Sequence, residues 1–253
     1  PECRRQGLGR ELLRRVVTFA RKHDRRLLIA TTAGRVPAGA AFLERIGARQ
    51  ALQGGENQLV LVDVDRSLLS RWMEKGAELS KEFRLGLWEG PVPEERLPGM
   101  ITLVQQLIND APRDALAMED SSHIARTYRP FEAWEFAGGH RRWMMHAIHC
   151  ADDRVAAMTE VVWSPSRPQI LEQWGTGVWP DYRNRGLGRW LKAAMLTKIL
   201  NELPAARVIR TGNANSNAPM LKINTELGFK PFISRPVWQM ETGTVEKYLA
   251  ASA

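Results

Sequence analysis

The sequence predicts a mixed α/β (α+β) chain: one complete domain of hairpin-linked strands and helices, preceded by the C-terminal half of a second. Three observations carry that prediction. The phrase Arg-x-x-Gly-Leu-Gly-Arg occurs twice, at 4–10 and 183–189, with the copies 179 positions apart. Each copy opens the same order of helix, strand, helix and glycine, the mark of an internal duplication. Only the second copy is preceded by a series of strand candidates.

The helices after the turns follow from apolar spacing. Leu187, Trp190, Leu191, Ala194, Met195 and Ile199 recur at steps of three and four until Pro204 stops the run. Leu8, Leu12, Leu13, Val16, Val17 and Ala20 repeat the pattern in the first copy. Short apolar stretches at 27–29 and 207–209 read as buried strands. A second helix then ends in FLERIGA (42–48) or INTELGF (223–229). Ahead of the second turn, strands are expected at 142–149, 154–163 and 170–178. Asp152-Asp153 and the SPSRP of 164–168 supply the turns between them. A strand at 83–88 and a Pro-bounded helix at 98–109 come earlier, and 110–139 reads as loop and short helix.

The expected organisation is therefore a half-domain at 1–64, a helical linker at 65–82 and a complete domain at 83–253. The chain reads as a fragment that starts inside its first domain. Helices without the strands they should cover leave apolar surface in water. The half-domain is thus expected to pack on the complete domain, to form a homodimer, or to be loosely ordered. Packing is preferred, because Leu68, Leu69, Trp72 and Met73 of the linker can bridge the two parts.

Composition narrows the function classes. Hydrophobic residues make up 44% and charged residues 25%, ordinary for a globular protein. The excess of 36 Lys+Arg over 28 Asp+Glu gives +8, which favours an anionic partner. Nucleic acid is not expected, because the arginines cluster at a turn fitted to one pyrophosphate and no basic stripe with interleaved aromatics occurs. No apolar run of 18 residues is present, so a cytoplasmic protein without a membrane partner is expected. Cys3 and Cys150 make no CxxC and suggest a reducing compartment. His146, His149 and Cys150 fall on a strand, where residues three apart point to opposite faces, so no metal site is expected.

A strand ending at Val178, the turn RNRGLG and a helix form a layout suited to phosphate. Amides at a helix N-terminus lack intrahelical partners and carry the positive end of the helix dipole. Gly186 and Gly188 remove side chains, while Arg183, Arg185 and Arg189 add full charges. The plain alternative is a glycine-containing helix start with solvated arginines. Neither GxGxxG nor GxxxxGK[ST] is present.

The turn resembles motif A of the GNAT N-acetyltransferase superfamily, Q/R-x-x-G-x-G/A. Here it reads Arg183-Asn184-Arg185-Gly186-Leu187-Gly188, preceded by Val178, Pro180 and Tyr182. Asn217, Asn224 and Leu227-Gly228-Phe229 match a second family element. The resemblance covers 83–253. It implies a twisted, mostly antiparallel sheet flanked by helices, with acetyl-CoA or another acyl-CoA as co-substrate. The implied reaction moves the acetyl group to a primary amine of a small molecule or peptide by direct attack. The pyrophosphate would lie on the amides of Arg183, Asn184, Arg185, Gly186, Leu187, Gly188 and Arg189. The pantetheine arm would pair with the backbone near Thr176 and Val178, and a strand amide near Thr176 would serve the oxyanion. Asn217 would contact the cofactor, cap the second helix, or both.

By the same resemblance Glu172, eleven residues ahead of Arg183, is the expected base. A carboxylate partly buried among Leu171, Trp174 and Trp163 would be a stronger base than an exposed one, whereas an outward-facing strand glutamate would be an ordinary one. Residues 110–140, with His123, Tyr128, Trp134, Glu135 and His140, are expected to face the acceptor. The family's usual tyrosine acid is replaced by Asn224, which leaves a second reading: a non-catalytic acyl-CoA-binding or sensing module. The first copy has Val36 and Leu43 where the second has Asn217 and Asn224. It therefore resembles the degenerate half of a tandem GNAT protein with one active domain.

Overall fold

The computed structural model describes residues 6–251. Cys3 and Arg4 of the first turn lie outside the described residues. In chain order the elements are α1 (Leu8–Lys22), β1 (Leu27–Thr31), α2 (Pro37–Arg45), β2 (Arg49–Val60), α3 (Arg66–Leu79), β3 (Phe83–Glu89), α4 (Leu97–Asp110), α5 (Ile124–Ala137), β4 (Arg141–His149), β5 (Val155–Trp163), β6 (Ile170–Val178), α6 (Leu187–Glu202), β7 (Val208–Ala214), α7 (Ala218–Glu226), β8 (Lys230–Glu241) and α8 (Thr242–Ala251). Local chemistry sets several boundaries. The Asp65 carboxylate accepts the N–H groups of Ser67 and Leu68 at 2.8 and 3.1 Å and so caps α3. The duplicated glycines Gly7 and Gly186 are left-handed, φ 80° and 95°, and each opens a helix.

One eight-stranded sheet runs β1-β8-β2-β7-β6-β5-β4-β3. Every neighbouring pair is antiparallel except β6 and β7, which are parallel. This is the twisted, mostly antiparallel sheet expected, but its halves do not sit side by side. β2 lies between β7 and β8, and β8 lies between β1 and β2. The two exchanged strands are each 12 residues long. Their register maps onto itself under the duplication. Gly54 faces its own equivalent Arg235, and the pair Arg49↔Gln239 is mirrored by Gln58↔Lys230. The register shifts next to Ala51 and Phe232 are equivalent as well. A pseudo-twofold axis therefore passes between β2 and β8, and each half supplies the strand that fills the other's sheet.

Helices pack on both faces. α6 and α3 cover the β4–β6 side through Leu187, Leu191, Met195, Ile199, Leu69 and Trp72. α3 comes close because Gly76 has no side chain, and a Cβ there would lie 2.1 Å from the Trp190 ring. α1 and α8 meet Trp238 and Met240 of β8, while α4 meets Met144 and Met158 from the other face. α5 is a full 14-residue helix where the sequence suggested loop and short helix, and Pro130 stands inside it. No described helix is long and apolar enough to cross a membrane.

Candidate acyl-transfer site

The turn before α6 combines two left-handed residues, Asn184 at φ 62° and Gly186 at φ 95°. No side chain caps α6, so its first-turn amides are left for another acceptor. A Cβ at Gly186 would meet nothing within 4 Å, so the turn borders open space. The three arginines are not free around that spot. Arg183 pairs with Asp110, Arg185 with Glu82 at 2.6 Å and Arg189 with Glu226 at 2.9 Å. Their hydrogen bonds hold the carboxyl groups of Glu82 and Glu226 below the usual carboxylate range. Such exposed pairs are screened by water and weak enough for an incoming phosphate to displace.

Beside the turn the sheet opens. β6 and β7 pair at only three positions, Ile170↔Val208, Leu171↔Ile209 and Glu172↔Arg210. Beyond them, among the described residues, the edge of β6 at Thr176 and Val178 has no strand partner on that side. The β5–β6 ladder breaks next to the same place, between Thr159↔Thr176 and Val161↔Gln173. Across the gap, Asn217 caps α7 by accepting the Met220 N–H at 3.4 Å. Asn224 is buried; its Nδ2 donates to Asn213 Oδ1 at 2.9 Å, and among the described residues its Oδ1 has no hydrogen-bond partner. An open strand edge, an uncapped glycine turn and an orphaned buried acceptor fit an extended ligand with amide groups and a pyrophosphate. That is the chemistry of coenzyme A.

The carboxylates differ from expectation. Glu172 is exposed, not partly buried, and touches Trp174, whose indole N–H lies 3.5 Å from Oε2. The carboxylate at the break in the ladder is Glu160 of β5. Its side chain is 14% exposed, and Oε1 accepts the Gly175 N–H at 3.3 Å. Burial pushes its pKa up to about 7, against the opposing pull of Arg142 at 3.9 Å. Behind it Arg142 is buried against Glu132 of α5 and the Gly90 carbonyl. Among the described residues both Glu135 oxygens are buried without a hydrogen-bond partner, though Oε2 lies 4.0 Å from the Arg142 guanidinium, and burial raises that carboxyl as well. Glu160 had a sequence signal: it is the single charge in the otherwise uncharged strand VAAMTEVVW.

The remaining residues of 110–140 divide. Tyr128 belongs with the buried acid cluster, its hydroxyl pKa raised by desolvation. Trp134 is exposed and leans on Phe131, which in turn leans on Trp174 of β6 with ring centroids 5.7 Å apart. His140 contacts the Glu135 carbonyl. As the strand reading required, His146 is buried and stacked on Trp88, while His149 binds Asp152 at 2.8 Å. Among the described residues no three His, Cys, Asp or Glu side chains group as metal ligands.

Comparison with known proteins supplies the family. The profile of the acetyltransferase (GNAT) family matches residues 103–229, half of the chain. No curated protein matches. Among solved structures, the chain is similar to a tandem GNAT protein from the clavulanic acid biosynthesis pathway. The two are 28% identical with a TM-score of 0.73, over 96% of this chain and 72% of that one. It shares its fold with a GCN5-related N-acetyltransferase from Sphaerobacter thermophilus, at 12% identity and TM-score 0.58, covering 96% of this chain and 70% of that one. It also shares it with the glucosamine N-acetyltransferase region of a fungal multi-domain β-N-acetylglucosaminidase, at 13% identity and TM-score 0.64, covering 95% of this chain and 28% of that one. Family profile, sheet and motif agree, and the chain belongs to the acetyltransferase (GNAT) family.

Proposed function

We propose that this chain moves an acetyl group from acetyl-CoA to a primary amine of a small molecule or peptide by direct attack. The observation that carries the reading is that the unpaired β6 edge and the uncapped glycine turn border one gap in the sheet, with the largely covered Glu160 bonded to Gly175 of the same strand. The amides of 183–189 hold the pyrophosphate, the backbone at Thr176 and Val178 pairs with the pantetheine arm, and Asn217 borders it. When bound, acetyl-CoA supplies an activated thioester carbonyl. Glu160 takes the place proposed from sequence for Glu172: with a pKa near 7 it is a base matched to neutral pH. Glu172, Trp174 and Phe131 form an acidic, aromatic rim that attracts a cationic amine.

An open groove of about 400 Å³ over the pseudo-twofold axis accommodates the body of the acceptor. Gly54, Gly212 and Ala214 floor it, Leu52 and Val237 wall it, and the Glu56–Arg235 ion pair (3.0 Å) offers polar ends. Asn224, standing where the family's tyrosine acid would be, favours the second reading, an acyl-CoA-binding or sensing module. A CoA-release assay against a panel of amines separates the two. Release with at least one amine supports the enzyme, and tight acetyl-CoA binding without release supports the module. Failure to bind acetyl-CoA overturns both.

A further inference from the structure

Lys192 of α6 is a cation in the wrong place for packing alone. It is buried, and burial pulls its pKa down to about 7. Among the described residues its one hydrogen-bond partner is Gln173 of β6, whose Oε1 lies 2.9 Å from Nζ. From there a polar chain continues toward the gap. Gln173 Nε2 donates to Thr159 Oγ1 at 2.6 Å and to Thr176 Oγ1 at 3.2 Å, and the two hydroxyls are 2.7 Å apart.

Counting donors fixes the direction of that chain. A lysine ammonium has three donors and no acceptor, so charged Lys192 faces Gln173 as a donor, and the amide turns its oxygen to Lys192 and its NH₂ to the threonines. Both threonine oxygens then accept from the amide. Thr159 is wholly buried, and the Thr176 oxygen is the one acceptor within reach of its hydroxyl, so Thr159 donates to Thr176. One hydroxyl proton is left over. It belongs to Thr176, which is part-exposed on the unpaired edge of β6. Without Lys192 nothing would hold the amide this way round, and the pattern could reverse.

We propose that Lys192 is a positioning residue. Through Gln173 and Thr159 it orients the Thr176 hydroxyl as a donor toward the oxygen on which negative charge develops during acyl transfer. This rests on the acyl-transfer reading above. It adds a side-chain donor to the strand amide expected from sequence, and aligned hydrogen bonds in a low-dielectric interior reinforce one another. A lysine kept only for packing would cost stability and leave the rate unchanged when replaced by an apolar group of similar length, whereas a positioning lysine costs rate and leaves stability unchanged.

The test uses Lys192→Met, Thr176→Val and the double variant in the full chain, with acetyl-CoA labelled by ¹³C at the thioester carbonyl. Expected is a drop in kcat of roughly ten- to a hundredfold in each single variant, with the acetyl-CoA dissociation constant within threefold of wild type. The double variant should be no worse than the worse single one. The carbonyl resonance of bound acetyl-CoA should move toward its free position by the same amount in all three, and the thermal midpoint of Lys192→Met should not fall. Thr176→Ser, which keeps the hydroxyl, should restore both rate and resonance. Should Lys192→Met fail to fold, Gln173→Leu breaks the same chain. An unchanged resonance in Lys192→Met, or losses that add in the double variant, would overturn the proposal while leaving acyl transfer intact. A wild type that binds acetyl-CoA without turnover on any amine would overturn the catalytic reading instead, and the proposal with it.

Discussion

The two copies of the glycine turn open similar helices and do unlike things. Leu187, Leu191 and Met195 of α6 are 1%, 0% and 2% exposed, while their equivalents on α1, Leu8, Leu12 and Val16, are 54%, 65% and 50% exposed. The sequence spacing is shared, but α6 is held between β4, β5 and β6 and α3, whereas α1 meets α8 and the end of the sheet only through its Leu13 and Val17 side. Side chains of this size gain about 1.5–3 kcal/mol each when fully buried, so the same motif yields a core helix in one place and a half-covered one in the other. Where the second copy has Lys192, Asn217 and Asn224, the first has Leu13, Val36 and Leu43. A phosphate-ready turn is thus a local property, whereas a site needs the gap that β6 makes.

The largest expected contrast tests that statement directly. A Cβ at Gly188 would lie 3.7 Å from Ile223 and 3.8 Å from Val178, between the turn and the gap, whereas one at Gly9 would lie 3.8 Å from Phe42. Gly188→Leu should weaken acetyl-CoA binding by about a hundredfold or more, and Gly9→Leu should change it by less than about twofold. Equal losses by calorimetry would mean that both turns bind.

The base gives an effect of comparable size. Glu160→Gln should lower kcat by roughly 10²–10⁴. Glu160 must be ionised to accept a proton, so wild-type kcat/KM should rise with pH through about 7 and flatten above it. The variant should lose that limb, and Glu172→Gln should keep it. Stability carries the matching sign. A carboxyl raised in the fold stabilises fully below its ordinary value of 4.5 and loses that contribution as pH climbs to about 7. Glu160→Gln should therefore gain on wild type above pH 7 in denaturant titrations.

A smaller effect belongs to the acceptor groove. A Cβ at Gly212 would meet nothing within 4 Å, so Gly212→Val projects into the groove without a clash. It should raise the acceptor KM about tenfold with acetyl-CoA affinity unchanged; an unchanged acceptor KM would place the acceptor elsewhere. Smallest is the cap: Asn217→Ala should cost about 1 kcal/mol of stability, and Val36→Asn should recover a similar amount in the first copy. Equal melting of Asn217→Ala and wild type would remove the cap.

Much of this was legible in the chain and some was not, for physical reasons. Helix phase, the strands before Val178 and the turn itself follow from local periodicity and glycine. The partial pairing of β6 with β7 and the exchange of β2 with β8 depend on contacts between distant segments, which periodicity does not report. Glu172 and Glu160 lie on one face of the sheet, but Glu172 is exposed beside Trp174 while Glu160 is covered against Arg142 and the Gly175 N–H, a difference that spacing from Arg183 does not report. α5 was obscured because Pro130 lies inside it and its Glu132 and Glu135 are buried. Acids normally mark an exposed face, and here Glu132 is paired with Arg142 in the interior.

The exchange of strands also sets the timing of biosynthesis. β2 ends at Val60 and finds its neighbours β7 and β8 only between Val208 and Glu241. At the usual pace of synthesis, about 5–20 residues per second, its two edges wait roughly ten to forty seconds for partners on a ribosome still making the rest. During that interval β2 is an unpaired strand, the kind of template on which chains mispair. Its Gly54-Gly55 and the charge of Glu56 make it a poor one. Two separately made pieces, cut in the segment that carries α3, should be sticky alone and mend each other when mixed, because neither holds a finished sheet.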